Sequence, residues 1–119
     1  MEYAIENEYL IVTVTTWGAQ VKSVVRKFDD VEHMWQADKS VWGYHAPILF
    51  PHTGKVVDDL IETKGEVYQA KQHGFARLME HTLVRQTEDT IVMELRSSEE
   101  TLRIFPYAFR LVSTFTLDG

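Results

Sequence analysis

Short runs of β-branched and aromatic residues recur along this chain, and each run is closed by turn-forming residues. This pattern is typical of antiparallel β-structure. No segment carries a sustained apolar stripe at the 3.6-residue period of a helix, and residues 31–42, the best helical candidate, are predicted to form an irregular loop with a turn or two. The chain is therefore predicted to be all-β, with the architecture of an antiparallel β-sandwich. The predicted strands are residues 9–15, 20–28, 66–70, 81–86, 90–96 and 109–117.

Turn chemistry separates the later strands, at residues 63–65, 87–89 and 97–100. Adjacent acidic residues such as Asp29-Asp30 and Asp58-Asp59 also fall in predicted turns. Side chains of neighbouring turn residues diverge, so these pairs are predicted to be solvated and not to form a carboxylate pair for acid–base chemistry. The final Asp118-Gly119 is a hairpin-turn signal without a following strand, which predicts that the natural sequence continues.

Composition narrows the class of protein. A length of 119 residues suits one ordinary domain, and a net charge of −6 with dispersed Lys and Arg argues against binding to nucleic acid. No apolar run reaches the roughly 18 residues of a membrane span, and the acidic start lacks the pattern of a signal peptide. Because the chain also lacks cysteine, the default expectation is a cytoplasmic protein with no membrane partner.

The motifs of several catalytic classes are missing from the sequence. The five histidines have none of the spacings typical of a zinc site, so no metal is expected. No serine lies in a nucleophile elbow, and no glycine-rich loop is suited to hold a phosphate or a nucleotide cofactor. Cofactor-dependent and nucleophilic chemistry are therefore both disfavoured.

A set of polar and aromatic residues remains, and it suits carbohydrate, since sugars bind through aromatic faces and planar hydrogen-bonding groups. Its members are Trp35, Trp42, Tyr44, His45, His52, Lys55, Gln72, His73 and Arg77. Structural roles are equally open for several of them. The tryptophans are typical loop anchors, and His45 and His52 are expected to bond backbone groups beside the prolines. Arg77 is equally expected to form a surface ion pair with Glu80.

Several stretches in order resemble one enzyme family. They are Trp17-Gly18-Ala19-Gln20, Met34-Trp35-Gln36-Ala37-Asp38, Trp42-Gly43-Tyr44-His45-Ala46-Pro47-Ile48-Leu49-Phe50-Pro51, Gly54-Lys55, Gln72-His73-Gly74-Phe75-Ala76-Arg77 and Phe105-Pro106-Tyr107-Ala108-Phe109. Taken together they resemble the aldose 1-epimerase (galactose mutarotase-like) superfamily, in particular its LacX-like branch. The resemblance runs over nearly the whole chain, and its two longest motifs are specific in combination.

The resemblance implies an antiparallel β-supersandwich that interconverts the α and β anomers of a free hexose without a metal or cofactor. A general base removes the proton of the C1 hydroxyl while a general acid protonates the ring oxygen, so the ring opens; the C1–C2 bond then rotates and the ring closes on the other face. His73 matches the family's active-site histidine near the ring oxygen. Arg77 matches a substrate-holding arginine, and Gln72 and Lys55 are the further substrate-binding candidates, with the sugar as the expected small-molecule partner.

Two departures from the family pattern limit this interpretation. Asp58-Asp59 stands where the galactose mutarotases carry an Asn-Arg pair, which leaves Lys55 as the nearest cation. Family members are also more than twice as long, and their main acid–base pair lies in the later part. Residues 1–119 are therefore expected to be the N-terminal portion of a single β-sandwich domain, inactive alone, with exposed strand edges that favour self-association.

Three alternatives to a mutarotase of free hexoses stay open. The first is a hexose-6-phosphate mutarotase, and the second is a non-catalytic carbohydrate-binding module on the same scaffold. The third is a β-sandwich interaction domain without affinity for sugars.

Overall fold

In the computed structural model, which describes residues 1–119, nine strands form three antiparallel sheets. The first sheet has the order β1-β2-β3-β4, the second is the β5-β6 hairpin, and the third has the order β7-β8-β9. The elements are β1 (Glu2–Glu6), β2 (Leu10–Thr15), β3 (Gln20–Arg26), β4 (Val31–Glu32), β5 (Leu60–Thr63), β6 (Glu66–Gln69), β7 (Thr82–Gln86), β8 (Thr90–Arg96), helix α1 (Glu99–Leu102) and β9 (Arg110–Thr116). Single 3₁₀ turns cover Val57–Asp59 and Ala76–Leu78.

The main core lies between the four-stranded and three-stranded sheets. Val12 and Val14 of β2 face Ile91 and Met93 of β8, and Ile5 of β1 joins the same cluster. Side chains in a strand alternate between faces, so the residues of β2 and β8 that enter this core are two positions apart on each strand. The prediction of an antiparallel sandwich is confirmed.

The sandwich buries few residues and is more extended than a compact domain of the same length. Only 17 of 119 residues are buried. The radius of gyration is 16.5 Å, against about 13.5 Å for a compact domain of this size. β7 and β9 form the two edges of the three-stranded sheet. Unpaired edges invite further pairing, so self-association stays a prediction.

A second cluster is built from phenylalanines. Phe50, Phe75, Phe105 and Phe109 pack with ring centroids 5.0 to 6.1 Å apart. Tilted and edge-to-face pairs of this kind are the favoured aromatic geometry. Leu95 of β8 lies in the same cluster, so the segment around Phe75 is anchored to the three-stranded sheet.

Most predicted strands are present, and the differences are local. Strands β1, β4 and β5 were not predicted, because they are short or lie in polar sequence. The predicted turn at residues 97–100 instead leads into α1, which begins at Glu99, since Ser98 and Thr101 form a reciprocal capping box that satisfies the first free N–H groups. Residues 31–42 are the irregular loop that was predicted, apart from β4. No helix has the length and hydropathy needed to cross a membrane.

Candidate functional site

Two hydrogen bonds to Gly54 hold His73 in place in the turn at Lys71–Gly74. The His73 N–H donates to the Gly54 carbonyl at 2.9 Å, and the Gly54 N–H donates to Nδ1 of His73 at 2.8 Å. Because Nδ1 accepts a hydrogen bond, the neutral imidazole carries its proton on Nε2. His73 is half-buried, with a left-handed φ of 64° that costs energy in a residue with a side chain. The turn therefore presents an Nε2–H donor in a fixed place.

The backbone that follows His73 is bound to Phe50. The Phe50 carbonyl accepts from the Phe75 N–H at 2.9 Å and from the Ala76 N–H at 3.2 Å. Phe75 and Ala76 are buried in the phenylalanine cluster, whereas His73 and Arg77 flank them. The apolar part of the motif is thus a structural anchor, and its polar ends are left to make other contacts.

Arg77 joins this turn to the loop before Phe50. Its guanidinium lies over the Tyr44 ring, 4.7 Å from the centroid, which is cation–π geometry. Nη2 donates to the Gln72 carbonyl at 3.2 Å, and Nε is buried without a partner. The predicted ion pair with Glu80 is wrong, since Glu80 instead accepts a hydrogen bond from the Thr16 hydroxyl. Arg77 is therefore held by Tyr44 and Gln72, with hydrogen-bonding capacity left over.

Residues 35–46 form a loop with two partly exposed tryptophans. Trp35 and Trp42 are 44% and 47% exposed, and the Trp35 indole N–H donates to the Trp42 carbonyl at 2.8 Å. The Trp42 and Tyr44 rings lie 5.8 Å apart. Nδ1 of His45 lies 2.8 Å from the Trp35 carbonyl, so His45 does contact the backbone, but at Trp35 and not beside a proline as predicted. The tryptophans thus anchor the loop and still offer part of their surface to solvent.

Two side chains of the first sheet fix the ends of this loop. The buried Gln20 accepts from the N–H groups of both His45 and Ala46, each at 3.1 Å. The Glu32 carboxylate accepts from the N–H groups of Val24 and Met34, each at 2.8 Å, and from the Ser23 hydroxyl. Burial raises the pKa of the Glu32 carboxyl, but these hydrogen bonds outweigh it and hold the pKa below the usual value for glutamate.

The four residues predicted for the site are not equally connected. The Gln72 side-chain amide lies 3.4 Å from Nε2 of His73, and the Gln72 carbonyl contacts Arg77. Lys55 follows Gly54, the residue that holds His73. Lys55 is exposed, and its ammonium forms no ion pair. We call the surface of Tyr44, Gln72, His73 and Arg77 the polar face.

The sequence placed Tyr44 in the polar and aromatic set but did not predict its contact with Arg77, and it gave Gln20 no role in this region. Tyr44 supports Arg77, and Gln20 fixes the loop that carries Tyr44. The available signal was the motif Trp42-Gly43-Tyr44-His45, which places a tyrosine beside the aromatic and polar set. His52 departs from its predicted backbone contact, since neither of its ring nitrogens has a hydrogen-bond partner.

Comparison with known proteins decides the family. The family model described as aldose 1-epimerase matches residues 1–119. This chain belongs to the aldose 1-epimerase family. It is 34% identical to the plasmid and chromosomal LacX proteins of Lactococcus lactis subsp. lactis over 124 residues, which is 100% of this chain and 41% of each relative.

Solved structures of related proteins have the same fold. A galactose mutarotase related enzyme from Lactobacillus acidophilus matches with a TM-score of 0.98 and 37% identity, over 99% of this chain and 39% of its own. A galactose mutarotase-like protein from Lactobacillus casei matches with a TM-score of 0.94 and 33% identity, over 99% and 40%. The chain thus spans about two fifths of the length of these relatives. The predicted family, its LacX-like branch and the fold class are confirmed.

Proposed function

We propose that this aldose 1-epimerase family chain supplies the sugar-holding part of a mutarotase site, which interconverts the α and β anomers of a hexose. One observation carries the proposal. The Nε2–H of His73 and the guanidinium of Arg77 are held on one face by backbone and aromatic contacts that use only part of their hydrogen-bonding capacity. Fixed planar donors of this kind suit an array of sugar hydroxyls.

The proposed mechanism is ring opening followed by closure on the other face. A base takes the proton of the C1 hydroxyl, an acid gives a proton to the ring oxygen, and the C1–O bond to the ring breaks to give the open aldehyde. Rotation about C1–C2 and the reverse proton transfers then form the other anomer, so protons and bonds balance over one cycle. No redox change occurs.

Each member of the polar face has a proposed role in this cycle. The Nε2–H of His73 donates to the ring oxygen, where negative charge develops as the ring opens. Arg77 and the amide of Gln72 hold neighbouring hydroxyls of the sugar, and Lys55 is a further candidate for binding it. The main acid–base pair that the family resemblance implies is not matched by any residue of this sequence. The polar face therefore binds and orients the sugar more than it transfers protons.

The His73→Asn variant tests the proposed donor. Asparagine tolerates a left-handed φ, and its side-chain oxygen still accepts from the Gly54 N–H, but it lacks an atom in the place of Nε2. We expect glucose or galactose affinity to fall roughly tenfold, as expected for the loss of one hydrogen bond. Affinity is measured by titration of backbone amide NMR signals, and His33→Asn, at an exposed histidine elsewhere, is the control.

Equal affinity in His73→Asn and the wild-type chain would contradict the role of His73. The same titration with glucose 6-phosphate separates the second candidate function. The positive charges of half-buried Arg77 and exposed Lys55 favour a phosphate ligand. Tighter binding of the phosphorylated sugar, weakened by added salt, would favour a hexose 6-phosphate over a free hexose as the substrate.

Catalysis by the chain alone is expected to be nearly absent. Polarimetry of freshly dissolved α-glucose or α-galactose should show equilibration less than about twofold faster than in buffer, because positioned acid–base catalysis contributes a factor of at least about 100 and its main pair is unmatched here. A matched concentration of the His73→Asn chain is the control. A much larger acceleration that His73→Asn abolishes would show that the chain holds a complete catalytic site.

A further inference from the structure

Strand β9 is a free edge of the three-stranded sheet, since it pairs with β8 on one side only. Its pairing with β8 has no register shift along Arg110–Thr116. The single charged residue is Arg110, at the first position, where Nε donates to the Glu94 carboxylate at 2.6 Å. The rest of the strand therefore lacks the prolines, bulges and charges that usually keep sheet edges from pairing.

The other sheet edges carry such features. β7 has a register shift between Leu83 and Arg85, and Arg85 adds a charge. β1 begins and ends with glutamate, and the Gln86 side-chain amide donates to its Ala4 carbonyl at 2.8 Å. Both strands of the β5–β6 hairpin contain a glutamate, and β4 is only two residues long. β9 is thus the edge best suited to pair with another strand.

The backbone bonds at the two ends of β9 show which of its groups face the free edge. The Ser97 N–H donates to the Phe109 carbonyl at 3.0 Å, and the Leu117 N–H donates to the Asp89 carbonyl at 2.9 Å. In an antiparallel ladder, residues that bond to the neighbouring strand alternate with residues that point away from it. The odd-numbered residues from 109 to 117 therefore bond to the β8 side. The residues whose N–H and C=O groups point to the free edge are Arg110, Val112, Thr114 and Thr116.

Two copies of β9 are complementary when they lie antiparallel with their Ser113 residues opposite each other. Arg110 then lies opposite Thr116 of the second copy, and Val112 lies opposite Thr114, so each outward backbone group meets a partner. The two arginines lie at opposite ends, so like charges do not meet. A slip by one residue would place core-facing residues opposite solvent-facing ones, and this disfavours the neighbouring registers.

The core-facing side of β9 continues across the same pairing. Leu111 and Phe115 are half-buried, with Leu111 beside the phenylalanine cluster and Phe115 beside the main core. In the register about Ser113, Leu111 lies opposite Phe115 of the second copy in a pair without hydrogen bonds, where side chains of facing strands are closest. Pairing therefore covers apolar surface, which favours association in water.

We propose that β9 is a self-recognition surface through which two copies of this chain pair antiparallel about Ser113. The two three-stranded sheets become one continuous sheet, and the β9 edge is removed from both copies. A two-fold contact of this kind closes on itself, so the product is a dimer and not a fibre. No residue of the polar face lies on β9, so the inference does not rest on the proposed function.

A single cysteine tests the register, because the chain has no cysteine of its own. Each variant is kept in a glutathione redox buffer, and disulfide-linked dimer is measured on a non-reducing gel. Facing residues of a pair without hydrogen bonds have Cα atoms about 4.5 Å apart, within the range of a disulfide. We expect Ser113→Cys to cross-link at least about tenfold more than the more exposed Thr116→Cys, whose two copies would lie roughly 20 Å apart.

Sedimentation equilibrium tests the dimer itself, and Thr114→Pro is the variant. Proline removes an N–H that points to the free edge and not one bonded to β8, a position where edge strands tolerate it. We expect the wild-type chain to reach twice its mass of 13.8 kDa. The dissociation constant should rise at least about tenfold in Thr114→Pro. Thr114→Val keeps the N–H and the side-chain shape, so it is the control and should stay within about twofold of the wild type.

A wild-type chain that stays monomeric up to about 1 mM, where even a weak dimer forms, overturns the proposal and leaves β9 to a different partner. Larger oligomers without a dimer overturn it as well. Equal cross-linking of Ser113→Cys and Thr116→Cys, or an unchanged dissociation constant in Thr114→Pro, would place the contact elsewhere. The wild-type mass and the cross-linking pattern do not depend on whether Thr114→Pro folds.

Discussion

Replacing Gly74 by alanine is expected to lower the free energy of unfolding by about 3–5 kcal/mol. A Cβ at this position would lie 2.1 Å from the Phe50 carbonyl oxygen and 2.7 Å from Cδ of Pro51, at a φ of +73°. The Phe50 backbone is fixed by the phenylalanine cluster and by its bridge to Gly74, so it has little room to move. The clash also displaces the carbonyl that accepts from Phe75 and Ala76.

Urea unfolding followed by tryptophan fluorescence measures this loss, and Gly65→Ala is the matched control. Gly65 has nearly the same φ, +74°, but no atom lies within 4 Å of the Cβ position. Its variant should lose only the cost of the left-handed backbone, about 1 kcal/mol. Similar losses in the two variants would show that backbone conformation, and not the close approach to Phe50, determines the requirement for glycine.

The fold was largely predictable because its strands are sequence-local. β2, β3, β8 and β9 have alternating or β-branched runs bounded by turn residues, and these signals do not depend on the rest of the chain. β1 and β5 are different. Glu2–Glu6 and Leu60–Thr63 carry glutamates on the exposed face, and only pairing with β2 and β6 makes them strands. Tertiary context decided these elements, as it often does for short strands.

The site was predictable only in part, for a similar reason. The motif Gln72–Arg77 marked a polar turn, and the family resemblance gave His73 and Arg77 proposed roles. The support beneath them is long-range. Tyr44 lies under Arg77 from a loop more than thirty residues earlier, and Gln20 fixes that loop from β3. Contacts of this separation have no local signature, so sequence spacing predicted neither the contact of Tyr44 with Arg77 nor the role of Gln20.

Replacing Gly18 by alanine is expected to affect both stability and the polar face. A Cβ on Gly18 would lie 2.7 Å from the Arg77 carbonyl oxygen and 3.3 Å from Cα of Arg77, again at a left-handed φ, +71°. The Gly18 N–H also donates to the Met79 carbonyl at 2.8 Å. The turn between β2 and β3 thus rests directly on the backbone that carries Arg77. We expect a loss of about 2–4 kcal/mol, from left-handed strain and displacement of this backbone.

The Arg77 backbone must move away from Gly18 to relieve the contact, and its guanidinium then loses its place over Tyr44. A shift of about 1 Å in a substrate-holding group is enough to weaken binding strongly, so sugar affinity should fall roughly tenfold under conditions where the variant remains folded. The NMR titration with glucose or galactose measures this, with Gly65→Ala again as the control. Lower stability with unchanged sugar affinity would show that the contact between Gly18 and Arg77 is structural and does not position the guanidinium.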